Sequence, residues 1–186
     1  MNVKDEYKDL SVNELKELYL ENSDENAVLC LNLTGEFNIG SIVRTASLFS
    51  MGKVVILGKR TYDKRTTVGM ENYIPIERFR ATIGAHNEKL DLPYVKKLIN
   101  EYKKKYQVIF VEQGGIDLRE IQTLTNKSSY LSLSNPVMFV LGSESEGIPQ
   151  ELLKGEKIVS IPQKGIGRSF NVGHAFAMIV YAYYYC

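Results

Sequence analysis

A carboxylate stands inside a glycine-containing segment that directly follows an apolar run of strand length. In residues 141–149, LGSESEGIP, Gly142 and Gly147 bracket Glu144 and Glu146. The segment lacks the spacing and the lysine of a phosphate-binding loop, and two carboxylates would repel a phosphate. A carboxylate in such a loop suits amines, hydroxyls, guanidinium groups or the positive charge of a sulfonium cofactor. A tight turn leading into a helix is the alternative interpretation.

Two further segments place polar side chains ahead of apolar helices. In residues 32–44, Asn38 is a natural helix N-cap, and Arg44 lies off the apolar stripe of that helix, so we expect it to face away from the core. After the last predicted strand, two glycines precede Ser169 and Asn171, at the expected start of the last helix. A solvated surface arginine and simple N-capping are the alternative interpretations.

Alternating strands and helices must position these three segments. Continuous apolar runs are typical of buried parallel strands, and helical patterns lie between them, which predicts an α/β fold with a parallel sheet flanked by helices. Ligands of such sheets bind at the carboxyl ends of the strands, where we expect the three segments to meet. The predicted strands are residues 27–33, 53–58, 107–111, 136–141 and 157–161, with residues 61–83 irregular.

Composition places the chain among ordinary globular proteins, with 186 residues, 44% hydrophobic and 24% charged. Residues 1–26 hold eight acidic and three basic side chains, whereas the remainder holds 14 acidic and 20 basic ones. We therefore predict an acidic helical appendage, residues 1–26, ahead of one domain, residues 27–186. A moderately basic domain is compatible with nucleic acid but does not establish it.

Metal, membrane and export signals are not apparent in the sequence. Cys30 and Cys186 form no paired motif and have no metal-ligand spacing to His86 or His174. The amino-terminal segment has no apolar central run, and no apolar segment is long enough for a confident membrane span. We therefore expect a cytoplasmic protein with no metal and no membrane partner.

The last predicted helix, from about Asn171, carries no charged residue and is apolar on every side. A helix of this kind is buried on more than one side. We therefore expect it to pack on its own sheet and on a second copy of the chain, which predicts a homodimer through this helix. The side chains expected to divide between core and interface include Phe176, Ile179, Val180 and Tyr183.

Together the three segments resemble the motifs of a known family. N-x-G-x-x-x-R-T-A from Asn38, G-x-E-x-x-G from Gly142 and I-P-x-x-G-x-x-x-S-x-N-V from Ile161 are similar, in order and spacing, to those of the TrmH/SpoU RNA ribose 2′-O-methyltransferases of the SPOUT superfamily. The resemblance covers residues 27–185. It implies a C-terminal trefoil knot in the parallel α/β fold, S-adenosyl-L-methionine as cofactor, a homodimer, and tRNA or rRNA as substrate.

The resemblance also implies roles for individual residues. Arg44 matches the arginine proposed to help deprotonate the ribose 2′-hydroxyl. Because arginine normally stays protonated, we expect it to stabilise the developing alkoxide, while an RNA phosphate assists in taking the proton. The other positions that match active-site residues are Asn38, Glu144, Ser169 and Asn171. The positions expected to contact the cofactor are Leu141, Gly142, Ile161, Ser169 and Phe170.

A non-catalytic RNA-binding dimer that retains the fold is the alternative function. Loss of Arg44, Glu144 or Asn171 would have favoured it, and all three are present. RNA contacts are expected in three basic segments, although an ordinary solvated helix face is the alternative for the last of them. These segments are residues 60–65, 78–80 and 96–105.

Overall fold

The computed structural model describes residues 3–84, 89–120 and 135–185, which alternate between strands and helices. The strands are β1 (Ala27–Leu31), β2 (Lys53–Leu57), β3 (Ile76–Phe79), β4 (Thr82–Ile83), β5 (Lys89–Leu90), β6 (Gln107–Asp117), β7 (Val137–Leu141) and β8 (Lys157–Ser160). The helices are α1 (Val12–Asn22), α2 (Glu36–Leu48), α3 (Lys64–Thr67), α4 (Leu92–Tyr102), α5 (Gln150–Leu153) and α6 (Val172–Tyr185), with 3-10 turns at Asp5–Tyr7 and Met70–Asn72.

Six of these strands form one sheet in the order β3-β2-β1-β7-β6-β8, and every neighbouring pair is parallel. The central strands β1 and β7 are buried along their whole length, as expected when helices cover both faces. β4 and β5 pair separately and antiparallel. The prediction of a parallel α/β sheet flanked by helices is confirmed. The connections that follow β1, β7 and β8 all leave from the carboxyl edge of this sheet.

Two apolar cores lie on opposite faces of the sheet, because successive strand side chains alternate in direction. Val28 packs with Ile39 of α2 and Phe176 of α6 on one face. Leu29 packs with Val95 of α4 on the other. Of the α6 residues expected to divide between core and interface, the buried ones belong to this chain's own core. They are Phe176, Ile179 and Val180.

A polar cluster fixes the end of α6 beside the start of β1. The side-chain oxygen of Asn26 accepts a hydrogen bond from the backbone N–H of Val137 at 2.8 Å, and its amide nitrogen donates to Tyr184 Oη at 3.1 Å. Tyr184 in turn donates to Asp24. Burial, together with the bond to Asp24, raises the pKa of Tyr184, so its hydroxyl remains a donor. α6 therefore runs from the carboxyl edge of the sheet to a fixed point at the amino edge.

The acidic amino-terminal segment forms the predicted helix, α1. Ser11 and Glu14 make the expected capping box, with bonds of 3.3 and 2.8 Å between side chains and backbone N–H groups. The helix packs through Leu15 on Tyr73, and the Tyr19 hydroxyl donates to the carbonyl of Met51 at 2.6 Å. The division into an appendage of residues 1–26 and a domain of residues 27–186 stays a prediction.

Residues 61–83 are more ordered than their composition predicted. They contain α3, a 3-10 turn and β3, whose polar pattern is possible because it lies at the edge of the sheet. There Glu77 pairs with Lys53 at 2.6 Å and accepts from the Tyr102 hydroxyl at 2.7 Å. β6 also continues past the predicted end at residue 111, to Asp117, after a break in register.

Candidate active site

A cleft of about 670 Å³ opens at the carboxyl edge of the sheet, between the segments that follow β7 and β8 and the outer part of β6. This volume lies within the usual range for small-molecule sites. All of the positions predicted to contact a cofactor line this cleft. They are Leu141, Gly142, Ile161, Ser169 and Phe170.

The carboxylate of Glu144 crosses from the segment after β7 to the start of α2. Its Oε2 accepts from the backbone N–H of Thr34 at 2.9 Å and from the Thr34 hydroxyl at 3.0 Å. Its Oε1 accepts from the N–H of Gly35 at 3.1 Å and from the side-chain amide of Asn38 at 2.7 Å. One carboxylate therefore satisfies free donors at the start of α2 that no intrahelical acceptor reaches.

These bonds also set the protonation state of Glu144. Partial burial alone would raise its pKa, but the hydrogen bonds from Asn38, Thr34 and Gly35 outweigh that effect and lower the pKa below its ordinary value. The group is therefore ionised at neutral pH. Because a carboxylate with a lowered pKa is a weak base, Glu144 is better suited to holding its neighbours than to taking a substrate proton.

The predicted N-cap role of Asn38 is wrong. α2 begins two residues earlier, at Glu36, with Gly35 as its N-cap, and Asn38 lies in the first turn. Its side chain is occupied elsewhere, because Nδ2 donates to Glu144 and Oδ1 accepts from Asn171 Nδ2 at 2.9 Å. An ionised carboxylate accepts only, which fixes the orientation of the Asn38 amide. The three segments are thus joined in one chain of hydrogen bonds, Glu144–Asn38–Asn171.

Asn171 also caps α6, which was the alternative interpretation of this residue in the sequence. Its Oδ1 accepts from the backbone N–H groups of Gly173 at 3.0 Å and His174 at 3.4 Å. A Cβ atom at Gly173 would lie 3.3 Å from Ser41 Oγ, so the small residue keeps α6 close to α2. Ser169 lines the cleft nearby, and its hydroxyl makes no hydrogen bond within the described residues.

Arg44 stands apart from this arrangement. It is exposed on α2 and does not line the cleft, and its side chain makes no ion pair or hydrogen bond within the described part of the chain. Arg44 follows Asn38 by six residues, which is about one and two-thirds helical turns. The two side chains therefore lie on different sides of α2. Arg44 shares its side of the helix with the exposed Phe37 and Leu48. The structure thus joins Glu144, Asn38 and Asn171 by hydrogen bonds beside the cleft, which Ser169 also lines, and leaves Arg44 outside this group.

Sequence reasoning missed the part of the cleft that β6 supplies, which includes Glu112 and Gln113 directly after the apolar part of the strand. Glu112 Oε2 accepts from the N–H of Ile148 at 3.0 Å, and the Gln113 side chain donates to the carbonyl of Arg168. The available signal was the sequence EQGG directly after an apolar run, the same pattern of polar residues and glycines that marked the other segments.

The basic segments lie at different edges of the sheet. Residues 60–65 follow β2 at the carboxyl edge, where the Arg65 guanidinium stacks 4.8 Å from the ring centre of the exposed Phe37. Residues 103–105 follow α4, beside the start of β6 at the amino edge, and Lys104 pairs there with Glu101 at 2.5 Å. This part of residues 96–105 therefore lies at the edge opposite the cleft, which favours the alternative interpretation of an ordinary solvated helix face.

The described residues show neither a membrane-spanning helix nor a cluster of metal-binding side chains. No helix among them is long and apolar enough to cross a membrane. Within the same residues, no group of three or more His, Cys, Asp and Glu side chains is arranged to hold a metal ion. His86, which the sequence analysis weighed as a ligand, lies outside the described residues.

The family model described as the SpoU rRNA Methylase family matches residues 25–181. The chain is 24% identical over 174 residues to the tRNA (guanosine(18)-2′-O)-methyltransferase of Aquifex aeolicus, covering 90% of this chain and 72% of that protein. It is 28% identical over 158 residues to the tRNA (guanosine(18)-2′-O)-methyltransferase TARBP1 of Mus musculus, covering 78% of this chain and 8% of that protein.

Solved structures share the fold. The A. aeolicus TrmH/SpoU tRNA modifying enzyme superposes with a TM-score of 0.68 at 22% identity, covering 92% of this chain and 79% of that one. An AdoMet-bound rRNA methyltransferase from Sinorhizobium meliloti superposes with a TM-score of 0.65 at 24% identity, covering 90% of this chain and 58% of that one.

This chain belongs to the SpoU rRNA methylase family, since the family model matches most of its length. The family predicted from the three motifs is confirmed, and with it the methyltransferase class. The chain spans less than two thirds of the S. meliloti protein and a small part of the mouse protein.

Proposed function

We propose that this chain transfers the methyl group of S-adenosyl-L-methionine to a ribose 2′-hydroxyl of tRNA or rRNA. The observation that carries the proposal is the hydrogen-bond chain Glu144–Asn38–Asn171, which holds the three motif segments at one end of a cleft of cofactor size. The names of the relatives support it, since both curated ones are tRNA 2′-O-methyltransferases.

The cleft suits the cofactor in shape and chemistry. Leu141, Ile161 and Phe170 give apolar surface for an adenine ring, and the irregular glycine-containing backbone supplies polar groups for its edge. A Cβ atom at Gly142 would lie 2.4 Å from the carbonyl carbon of Gly147, so glycine is needed for the tight fold of the lining segment. When bound, S-adenosyl-L-methionine supplies an electrophilic methyl group on a positively charged sulfur.

The residues of this chain position the acceptor and balance its charge. Glu144 stays ionised and fixes Asn38, which in turn orients Asn171 in the lining of the cleft. Alignment of the hydroxyl with the methyl group supplies part of the rate. Arg44 has no ion pair within the described residues, so its guanidinium is available to RNA lying across α2. Because Arg44 does not line the cleft of its own chain, we assign it to the developing alkoxide at the cleft of a second copy, while an RNA phosphate assists in taking the proton.

The alternative, a non-catalytic RNA-binding dimer, is not favoured. A protein that only binds RNA does not require a carboxylate and two amides that are hydrogen-bonded to one another beside a cleft of cofactor size. The basic residues 60–65 follow β2 at the carboxyl edge of the sheet, which is also the edge of the cleft. They are placed to contact RNA phosphates whether the protein methylates the RNA or only binds it. They therefore support an RNA partner without deciding between the two functions.

Methyl transfer to RNA tests the proposal, with Arg44→Ala as the decisive variant. Labelled cofactor is incubated with total tRNA and rRNA, and the methylated ribose is mapped. Single-turnover transfer should fall about a hundredfold in Arg44→Ala, as when a preorganised electrostatic contact is lost. Arg44→Lys should restore little, because an ammonium does not reproduce the planar fork of a guanidinium.

Lys104→Ala is the matched control for this assay, since Lys104 is a paired cation at the opposite edge of the sheet. It should transfer at the wild-type rate, and cofactor affinity should be unchanged in all three variants. Wild-type rates in Arg44→Ala would remove Arg44 from the mechanism. No transfer to any RNA by the wild type would contradict the function itself.

We also propose that two copies of the chain associate through α6 and α2. Tyr181 and Tyr185 of α6 are 56% and 69% exposed, and Leu48 of α2 is 68% exposed, although all three are large and apolar. Burying these side chains would stabilise a dimer by removing apolar surface from water. This proposal accounts for a terminal helix that is apolar on every side.

Sedimentation at micromolar concentration tests the dimer. Wild type should sediment as a dimer, and Tyr181→Glu should dissociate it by placing an unpaired charge in the interface. Glu17→Gln on the exposed surface of α1 is the control and should leave the dimer intact. A monomeric wild type would contradict the proposal.

A trefoil knot at the C-terminal end is the last part of the proposal. β8 lies at one edge of the sheet, yet the helix that follows it packs over the middle, where Phe176 shares a core with Val28 of β1 and Phe139 of β7. The chain must therefore cross back over the sheet after residue 160, as a knotted path requires.

Stretching the unfolded chain from both ends measures the knot. Force applied at residues 27 and 185 should give an extension shorter than the full contour length, because a tightened knot traps several residues. Extension to the full contour length would contradict the knot.

A further inference from the structure

The regular pairing of β6 with β8 is interrupted beside the cleft. Val111 and Ile116 both pair with Val159 of β8, so residues 112–115 form a bulge between them. Gly114 has a φ of +79°, and a Cβ atom at Gly115 would lie 2.5 Å from the carbonyl oxygen of Ile158. Only glycine fits this path. Bulges of this kind aim side chains next to active sites, and here the two side chains are Glu112 and Gln113.

The two side chains of the bulge make hydrogen bonds to the segments after β7 and β8, which line the cleft on either side. Glu112 Oε2 accepts from the N–H of Ile148 at 3.0 Å, and Oε1 accepts from the N–H of Gln113 at 2.9 Å. A Cβ atom at Gly147, whose φ is +66°, would lie 2.6 Å from Oε2, so the carboxylate is closely seated against the segment after β7. Gln113 donates to the carbonyl of Arg168 in the segment after β8.

Glu112 adds to the negative charge of the cleft. The charged side chains that line it are three carboxylates and one guanidinium, Glu112, Glu144, Glu146 and Arg168. The oxygens of Glu144 are occupied by donors at the start of α2, and Glu146 is exposed to solvent. Glu112 is half-buried and accepts from two backbone N–H groups of the cleft lining itself, so its negative charge is held at the cleft wall rather than at α2.

We propose that Glu112 makes the cleft prefer the cationic cofactor, S-adenosyl-L-methionine, to its uncharged-sulfur product, S-adenosyl-L-homocysteine. The inference rests on the proposed function, because it takes that cofactor as given. In the transfer, the bond between sulfur and the methyl carbon breaks and its electron pair stays on sulfur. The hydroxyl oxygen forms a bond to the methyl carbon and its proton passes to an acceptor, so the sulfur loses its positive charge.

The two ligands differ by one methyl group and one charge, so a fixed carboxylate discriminates between them electrostatically. A single charge pair at a partly exposed site changes affinity by about tenfold. The attraction disappears when the methyl group leaves, which assists release of the product. Hydrogen bonds from Glu112 to the lining backbone act on both ligands alike, because they shape the cleft without sensing the charge on sulfur.

Calorimetric titration of both ligands into wild type and Glu112→Gln tests the inference. Glutamine keeps the shape of the side chain and one carbonyl acceptor but removes the charge. S-adenosyl-L-methionine should bind about tenfold more weakly to the variant, whereas the affinity for S-adenosyl-L-homocysteine should change less than about twofold. Sinefungin, which carries an amine near the place of the sulfonium, should follow S-adenosyl-L-methionine.

Glu151→Gln is the control, since Glu151 is exposed on α5 and lies outside the cleft lining. It removes the same charge and should leave both affinities unchanged. Equal weakening of both ligands in Glu112→Gln would show that Glu112 only shapes the cleft, and no weakening of either would show that it plays no part. A wild type that binds neither ligand would overturn the proposed function itself.

Discussion

The site depends on one ionised carboxylate that is held by a different segment of the chain. Glu144 leaves the end of β7 and accepts hydrogen bonds from Thr34, Gly35 and Asn38 at the start of α2. A helix start presents free N–H groups, so a carboxylate placed there is favoured by both hydrogen bonding and the helix dipole. Asn38, fixed in this way, has one oxygen left for Asn171. Loss of the negative charge would therefore disturb α2 and α6 together.

The sheet makes this arrangement rigid. Because β1 and β7 are adjacent parallel strands, their carboxyl ends stand side by side, and the segments that follow them meet without a long connection. α6 is held at its start by Asn171 and near its end by the contacts of Tyr184 with Asn26 and Asp24. A site fixed at both ends keeps its polar groups in place before a ligand arrives, which is the requirement for electrostatic catalysis.

The sequence was informative where burial or motif spacing dominates. Buried strands such as β1 are continuous apolar runs, and the polar residues after them were correctly expected at one edge. The sequence was uninformative where a contact between residues far apart in the chain determines the role of a side chain. Asn38 has the composition of an N-cap, but the carboxylate of Glu144, 106 positions away, takes its amide. β3 was not predicted because an edge strand need not be apolar. The bulge that carries Glu112 was not predicted because it depends on the register of β6 with β8.

The central claim is that ionised Glu144 joins the motif segments, and the stability of Glu144→Gln against pH tests it most directly. Denaturant unfolding at pH 7 should show a loss of about 1–2 kcal/mol, modest because the group is partly exposed. Since the native pKa of Glu144 is lowered, its contribution is full above the unfolded carboxyl pKa and is lost as pH falls through the native value. The gap between wild type and variant should therefore close toward pH 3, while Glu146→Gln, an exposed neighbour, shows little loss at any pH. A gap that stays constant from pH 7 to 3, or no gap at all, would contradict the account.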